Sequence, residues 1–205
     1  MLVRKDFAKA ALLVVACALL ACALPVGAQV PQAAQQHRAL LVRTAHAAWG
    51  LDAPVAVFAA QVHQESAWRA DAVSHVGAQG LAQFMPSTTR WIAGLSPDLA
   101  AQQPFNVAWA LRALVTYDRW LYDRTPARYT PHERMWVALR GYNGGLGHWQ
   151  AEAAATGAVQ PTRAQVDAAC GSAKRAPVHC RENLGYPHRI LVVLQPRYLQ
   201  WGPGL

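Results

Sequence analysis

Residues 55–68 read Val55-Ala56-Val57-Phe58-Ala59-Ala60-Gln61-Val62-His63-Gln64-Glu65-Ser66-Ala67-Trp68, and the rest of the chain is read outward from them. Val55, Phe58, Ala59 and Val62 fall at i, i+3, i+4 and i+7, the spacing that lines one side of an α-helix. Asp52 precedes the stretch as a helix cap. Pro54 stands in the first turn, where a missing amide hydrogen is harmless. The same rotation puts Glu65 on the shoulder of the apolar stripe, three residues after Val62 and seven after Phe58. A carboxyl there is forced partly out of water, which disfavours its charged form and raises its pKa. That is how a Glu becomes a proton donor near neutral pH. The position equally suits a surface Glu or an ion-pair partner, so the helix alone does not decide. His63, Glu65 and His75 also suggest a metal triad, but residues two apart on a helix point to different sides, which argues against one.

Helical spacing continues in both directions. Ala33 to Trp49 is a polar-apolar helical stretch stopped by Gly50, and Asp71 to Gly80 reads as a loop. A short helix begins near Pro86-Ser87 and ends around Gly94. Asn106 caps the long pattern Val107, Leu111, Leu114, Val115, Leu121. Thr130-Pro131-His132-Glu133 has the spacing of a capping box. The helix it starts runs to about Tyr142 and stops at Gly144-Gly145. Ala151 to Gln160 reads as an Ala-rich linker or frayed helix, and a final helix lies between Pro187 and Leu194, with Pro196 ending it. No strand pattern and no internal repeat is present. The 205 residues are 53% hydrophobic and 15% charged, which excludes a disordered chain and provides one core. The expectation is a single all-α domain.

Residues 1–28 read as a leader. Arg4, Lys5 and Lys9 form a basic start, Ala11 to Leu24 is an uncharged apolar run, and Val26-Gly27-Ala28 is a small-residue exit, the make-up of a secretory signal peptide. The run is shorter than the roughly 20 apolar residues a membrane-spanning helix needs. Leu19-Leu20-Ala21-Cys22 resembles a lipobox, so a lipid anchor at Cys22 in the outer membrane is the alternative. Either route exports residues 29–205, with the periplasm as the expected compartment. Cys170 and Cys180, with nine residues between them, most simply form a disulfide in an exported chain. A zinc site of Cys170, His179, Cys180 and His188 is the competing reading, weakened by the lack of a Cys-x-x-Cys pair. Cleavage after Ala28 removes three basic residues and Asp6, so the net charge of +8 becomes +6. A basic exported protein suits an anionic envelope polymer better than nucleic acid, although simple solubility is compatible too. The basic residues form no tight cluster, and no nucleic-acid partner is expected.

Three motifs then carry the chemistry. The first is Glu65-Ser66-Ala67-Trp68, Ser74, Gly77-Ala78, Gly80-Leu81-Ala82-Gln83 and Met85-Pro86. The second is Gly141-Tyr142-Asn143-Gly144-Gly145, and the third is Glu182-Asn183 to Tyr186 with Arg189-Ile190-Leu191. In this order they resemble the signature of the soluble lytic transglycosylase (SLT-domain) family over about residues 40–195. The resemblance implies an all-α, goose-lysozyme-like fold and cleavage of the MurNAc–GlcNAc β-1,4 bond of peptidoglycan. In that reaction the MurNAc 6-hydroxyl replaces water and leaves a 1,6-anhydro end, with no cofactor and no metal.

By the same resemblance Glu65 is the general acid on the leaving oxygen and then the base for the 6-hydroxyl proton. One carboxylate suffices if the substrate's N-acetyl carbonyl is the nucleophile, as in the exceptions to the two-carboxylate rule. Ser74, Gln83, Met85, Tyr142, Asn143 and Tyr186 match positions that bind glycan or orient Glu65. Their ordinary alternatives are loop and cap chemistry for Ser74, Gln83 and Asn143, and core packing for Met85, Tyr142 and Tyr186. Ala82 stands where the family has Met and Gly141 where it has Ala, departures that affect substrate fit rather than proton chemistry. Some of the eight tryptophans suit sugar stacking, but most are expected in the core. A lysozyme-like hydrolase is the first competing function. It needs a second carboxylate, and Asp71 is the nearest in sequence. The second is a non-catalytic wall-binding accessory of a secretion or conjugation apparatus, a machine that is also a candidate partner of the enzyme.

Overall fold

The computed structural model describes residues 30–205, so the leader and Cys22 lie outside the described residues. Apolar positions at helical spacing become nine α-helices among the described residues: α1 Gln32–Gln35, α2 Arg38–Trp49, α3 Val55–Ser66, α4 Pro86–Ile92, α5 Val107–Tyr122, α6 Pro131–Gly144, α7 Leu146–Ala155, α8 Arg163–Ala168 and α9 Cys180–His188. Two isolated β-bridges, Val73 to Gln79 and Gln79 to Phe84, are the sole extended pairings there. None of the described helices is long and apolar enough to cross a membrane.

The helix that carries Glu65 is more deeply enclosed than a one-sided stripe predicts. Every residue from Val55 to Val62 is buried, because α3 packs against α2, a π-turn at Arg189–Leu194 and a 3₁₀ turn at Gln195–Trp201. A helix apolar all round has to be enclosed in this way. Asp52 does not cap α3. Pro54 is the residue before its first turn, and the Ala56 amide donates instead to the carbonyl of Pro203 at 3.0 Å. The far end of the chain therefore satisfies a donor that the sequence assigned to a nearby side chain.

Other boundaries differ for equally local reasons. The Ala33–Trp49 stretch is broken at Gln36-His37 into α1 and α2. Of the two readings of Ala151–Gln160, the helical one holds at its start, which is the end of α7 with Glu152 held in the interior. The final helix begins at Cys180, earlier than expected, and contains Pro187. A proline within a helix removes a donor and crowds the preceding turn. The chain widens at once into the π-turn, a usual accommodation of such strain. Pro196 then opens the 3₁₀ turn rather than ending the structure. Two of the caps read from sequence are present: Asn106 accepts from the Trp109 amide at 3.0 Å, and Thr130 with Glu133 forms the capping box.

A buried ionic cluster ties the C-terminal helices together. Arg140 donates to Glu152 at 2.6 Å, to Asp167 at 2.9 Å and to Asn183 at 2.9 Å, and Arg175 donates to the other oxygen of Glu152 at 2.8 Å. Arg140 and Glu152 have no exposure. Such a network adds little net stability over an apolar core, but removing one member strands a charge. Beside it Cys170 and Cys180 form a disulfide, with Cα atoms 5.9 Å apart. Both sulfurs are thereby consumed, which leaves no thiolate for the zinc reading with His179 and His188.

Candidate active site

Glu65 sits one residue before the end of α3, and the chain turns away immediately after it. Ala67 and Trp68 both adopt positive φ, 51° and 67°, an uncommon conformation for residues with side chains. Burial of Trp68 holds the turn: its indole N–H donates to the Tyr198 hydroxyl at 2.9 Å, and the same hydroxyl is hydrogen-bonded to His63 Nδ1 at 2.7 Å. His63 is thus engaged at Tyr198 and His75 is exposed, so the two do not form a triad with Glu65.

The loop that follows folds on its own polar groups. Ser74 Oγ accepts from the Ala78 amide at 2.9 Å, and Gln83 Nε2 donates to the carbonyls of Gly80 at 2.8 Å and Ala72 at 3.2 Å. Gly80, at φ +70°, lies so close to the neighbouring segment that a Cβ would stand 1.9 Å from the Pro104 carbonyl oxygen. Only glycine fits there, which accounts physically for the Gly80-Leu81-Ala82-Gln83 turn. Ser74 and Gln83 therefore do the loop-building work of their ordinary alternatives. Met85 is exposed at the start of α4.

Tyrosines connect this loop to Glu65. The Tyr142 hydroxyl, from α6, donates to the Ala82 carbonyl at 2.7 Å. Its ring lies nearly parallel to that of Tyr186, with centroids 6.3 Å apart and an interplanar angle of 9°. The Tyr186 hydroxyl, from α9, donates to Glu65 Oε1. Burial raises the pKa of Glu65 to about 8; the Tyr186 hydrogen bond opposes the rise and the charge of Glu182 adds to it. Among the described residues no Lys or Arg forms an ion pair with Glu65. Tyr142 and Tyr186 are likewise pushed up, first by burial and then by the Glu65 charge, so both remain donors. With Oε1 occupied as an acceptor, the transferable proton belongs on Oε2.

Asn143 lies near this group but faces α9: it donates to Glu182 at 3.2 Å and accepts from Asn183 at 3.1 Å. Asn183 in turn donates to the Arg140 carbonyl at 2.9 Å. The third motif thus supplies Tyr186 to the carboxyl, while Asn183 fastens α9 to α6. Asp71 is exposed on the loop and makes no hydrogen bond with Glu65.

One carboxyl next to the site escapes the sequence reading. Asp118 of α5 is fully buried, and the charge of Glu65 adds to the effect of burial in raising its pKa. The signal was in the helical spacing: Asp118 follows Leu111, Leu114 and Val115 at i+7, i+4 and i+3, inside the apolar stripe rather than opposite it.

The chain belongs to the transglycosylase SLT-domain family: the family profile matches residues 41–163, more than half of the sequence. The all-α, lysozyme-like architecture of that domain is the one found. The matched range contains Glu65, the Gly80–Pro86 segment and Tyr142–Asn143, and stops short of Glu182–Leu191. Curated relatives named membrane-bound lytic murein transglycosylase F are similar over a shorter stretch. The protein of Maricaulis maris is 36% identical over 92 residues, which is 45% of this chain and 19% of that protein. The protein of Vibrio cholerae is 37% identical over 90 residues, 44% of this chain and 16% of the relative. The match spans less than a fifth of the length of these relatives.

Proposed function

We propose that this chain is an exported peptidoglycan lytic transglycosylase that cleaves the MurNAc–GlcNAc β-1,4 bond, with Glu65 as its general acid and base. The observation that carries the reading is the state of Glu65. It is a proton-bearing carboxyl with no ion-pair partner among the described residues, oriented by a phenol that donates to one of its oxygens. Below pH 8 it holds the proton that the leaving glycosidic oxygen needs. As the C1–O bond breaks, the proton passes from Oε2 to the departing GlcNAc oxygen, and the N-acetyl carbonyl of MurNAc bonds to C1. Glu65, now a carboxylate, accepts the proton of the 6-hydroxyl while that oxygen displaces the acetamido oxygen from C1. The product carries a 1,6-anhydro bridge and Glu65 is protonated again, so one carboxyl serves both steps.

The tyrosines suit this cycle because they add hydrogen bonds without adding charge. Ser74, Gln83 and Asn143 are proposed to support the glycan site through their loop and helix contacts, and exposed Met85 to meet a sugar ring. Residues 1–28 are taken as the leader, consistent with the Cys170–Cys180 disulfide of an oxidising compartment. Cys22 is the alternative lipid-anchor site, and a trans-envelope secretion or conjugation machine is the proposed partner. The competing hydrolase needs a second, ionised carboxylate to activate a water; Asp71 makes no hydrogen bond with Glu65, and Asp118 is enclosed. Mass spectrometry of digested sacculi tests the proposal. Anhydro-muropeptides are expected, and products ending only in reducing MurNAc would overturn it.

A further inference from the structure

Gln61 Oε1 and Asp118 Oδ2 are two buried polar atoms without a hydrogen-bond partner, and they belong to one pair. Gln61 Nε2 donates to Asp118 Oδ1 at 3.3 Å, and both residues have zero exposure. If Asp118 were ionised, both orphan atoms would be acceptors with nothing to accept. A proton on Oδ2 makes that oxygen a donor for Gln61 Oε1, and the two side chains then close a ring of two hydrogen bonds. Gln61 is one turn before Glu65 on the same face of α3, so the pair lies beneath the proposed acid. We propose that Asp118 is a neutral carboxylic acid that closes a two-bond ring with Gln61, joining α5 to α3, and thereby acts as a positioning residue for Glu65.

The surroundings agree from each element packed about the site. Glu65 faces Asp118 from α3, Tyr117 adjoins it on α5, and Tyr142 and Tyr186 come from α6 and α9. Glu182 of α9 adds its charge at Glu65. No Lys or Arg among the described residues forms an ion pair with either carboxyl. Burial raises the Asp118 pKa well above its ordinary value, the Gln61 hydrogen bond opposes this, and ionised Glu65 raises it further. Once Glu65 is ionised, its charge favours the proton on Asp118. During the half of the cycle in which Glu65 is a carboxylate, the recess contains one negative charge rather than two. Asp118 is enclosed and touches no reacting atom.

This role rests on Glu65 being the acid of the proposed reaction, but the protonation state is measurable without activity. In protein labelled with ¹³C-aspartate, the Asp118 carboxyl, assigned by its loss in Asp118→Asn, is expected to show no titration between pH 5 and 8. An inflection in that range would overturn the proposal. Asp118→Ala opens the ring and is expected to lower kcat about 10- to 100-fold with KM little changed. Asp118→Asn rebuilds the ring, with an amide donor in place of the acid, and should restore most of the activity with the alkaline limb of the pH profile unmoved. An inactive Asn variant, or an alkaline limb displaced to lower pH, would contradict a neutral Asp118. Where Asp118→Ala does not fold, the titration and the Asn variant decide. A wild-type protein that leaves sacculi intact refutes the proposed function, while the titration still judges the proton.

Discussion

Replacing Glu65 by Gln should abolish turnover and stabilise the fold in a pH-dependent way. The carboxyl ionises near its ordinary 4.5 in the unfolded chain and at about 8 in the folded one. Between these values the folded state binds the extra proton, so wild-type stability falls as pH rises through the interval. Each unit corresponds to about 1.4 kcal/mol. At pH 7 the interval crossed is about 2.5 units, a ceiling of roughly 3 kcal/mol; above pH 8 the full difference gives roughly 5 kcal/mol. Gln does not titrate and its carbonyl still accepts from Tyr186. The variant should therefore gain over wild type by these amounts relative to the difference between the two at pH 4. At about 2–4 °C per kcal/mol, the gain at pH 7 is about 6–12 °C in Tm. Thermal unfolding of both proteins from pH 4 to 9 measures it, alongside sacculus clearance. A Tm difference that stays flat across this range would refute the reasoning, because Glu65 would then ionise alike folded and unfolded. Undiminished clearance by the variant would remove Glu65 from the mechanism.

Glu182→Gln removes a negative charge that raises the Glu65 pKa, so the alkaline limb of kcat/KM should move to lower pH; a rate profile from pH 5 to 10 reads this. Glu152→Ala strands the buried Arg175 guanidinium and leaves Arg140 paired with Asp167 alone among the described residues, and should cost about 3–5 kcal/mol in urea unfolding. Reducing the Cys170–Cys180 bond, which closes a short loop, should lower stability by about 2–3 kcal/mol, read as a shift in the urea midpoint with and without dithiothreitol.

Helix existence was legible because burial imposes a period, and Val55, Phe58, Ala59 and Val62 obey it. Caps were legible where one side chain serves an amide three residues away, as at Asn106 and Thr130. Failures came where the partner is remote in sequence. Asp52 looked like a cap, but the Pro203 carbonyl takes an α3 amide. The segment after Ala151 left linker and frayed helix both open, because nothing local shows that Glu152 meets Arg140 and Arg175. The C-terminal boundaries were misread because Pro187 and Pro196 are tolerated by π and 3₁₀ turns, which period alone does not distinguish from a helix end.

At the candidate site the same division holds. The sequence by itself determined the all-α class and the candidacy of Glu65, because the 3.6-residue period places that carboxyl at the margin of an apolar helix face, and because residues near one another in the chain form its motif. The tertiary structure alone decided which groups meet it. The Tyr186 hydroxyl reaches Glu65 across 121 positions, and the Tyr142 hydroxyl reaches Ala82 across 60. Asp118 joins Gln61 across 57, beyond any local pattern. A proton's affinity for a carboxyl depends on everything within a few ångströms, and only folding determines what that is.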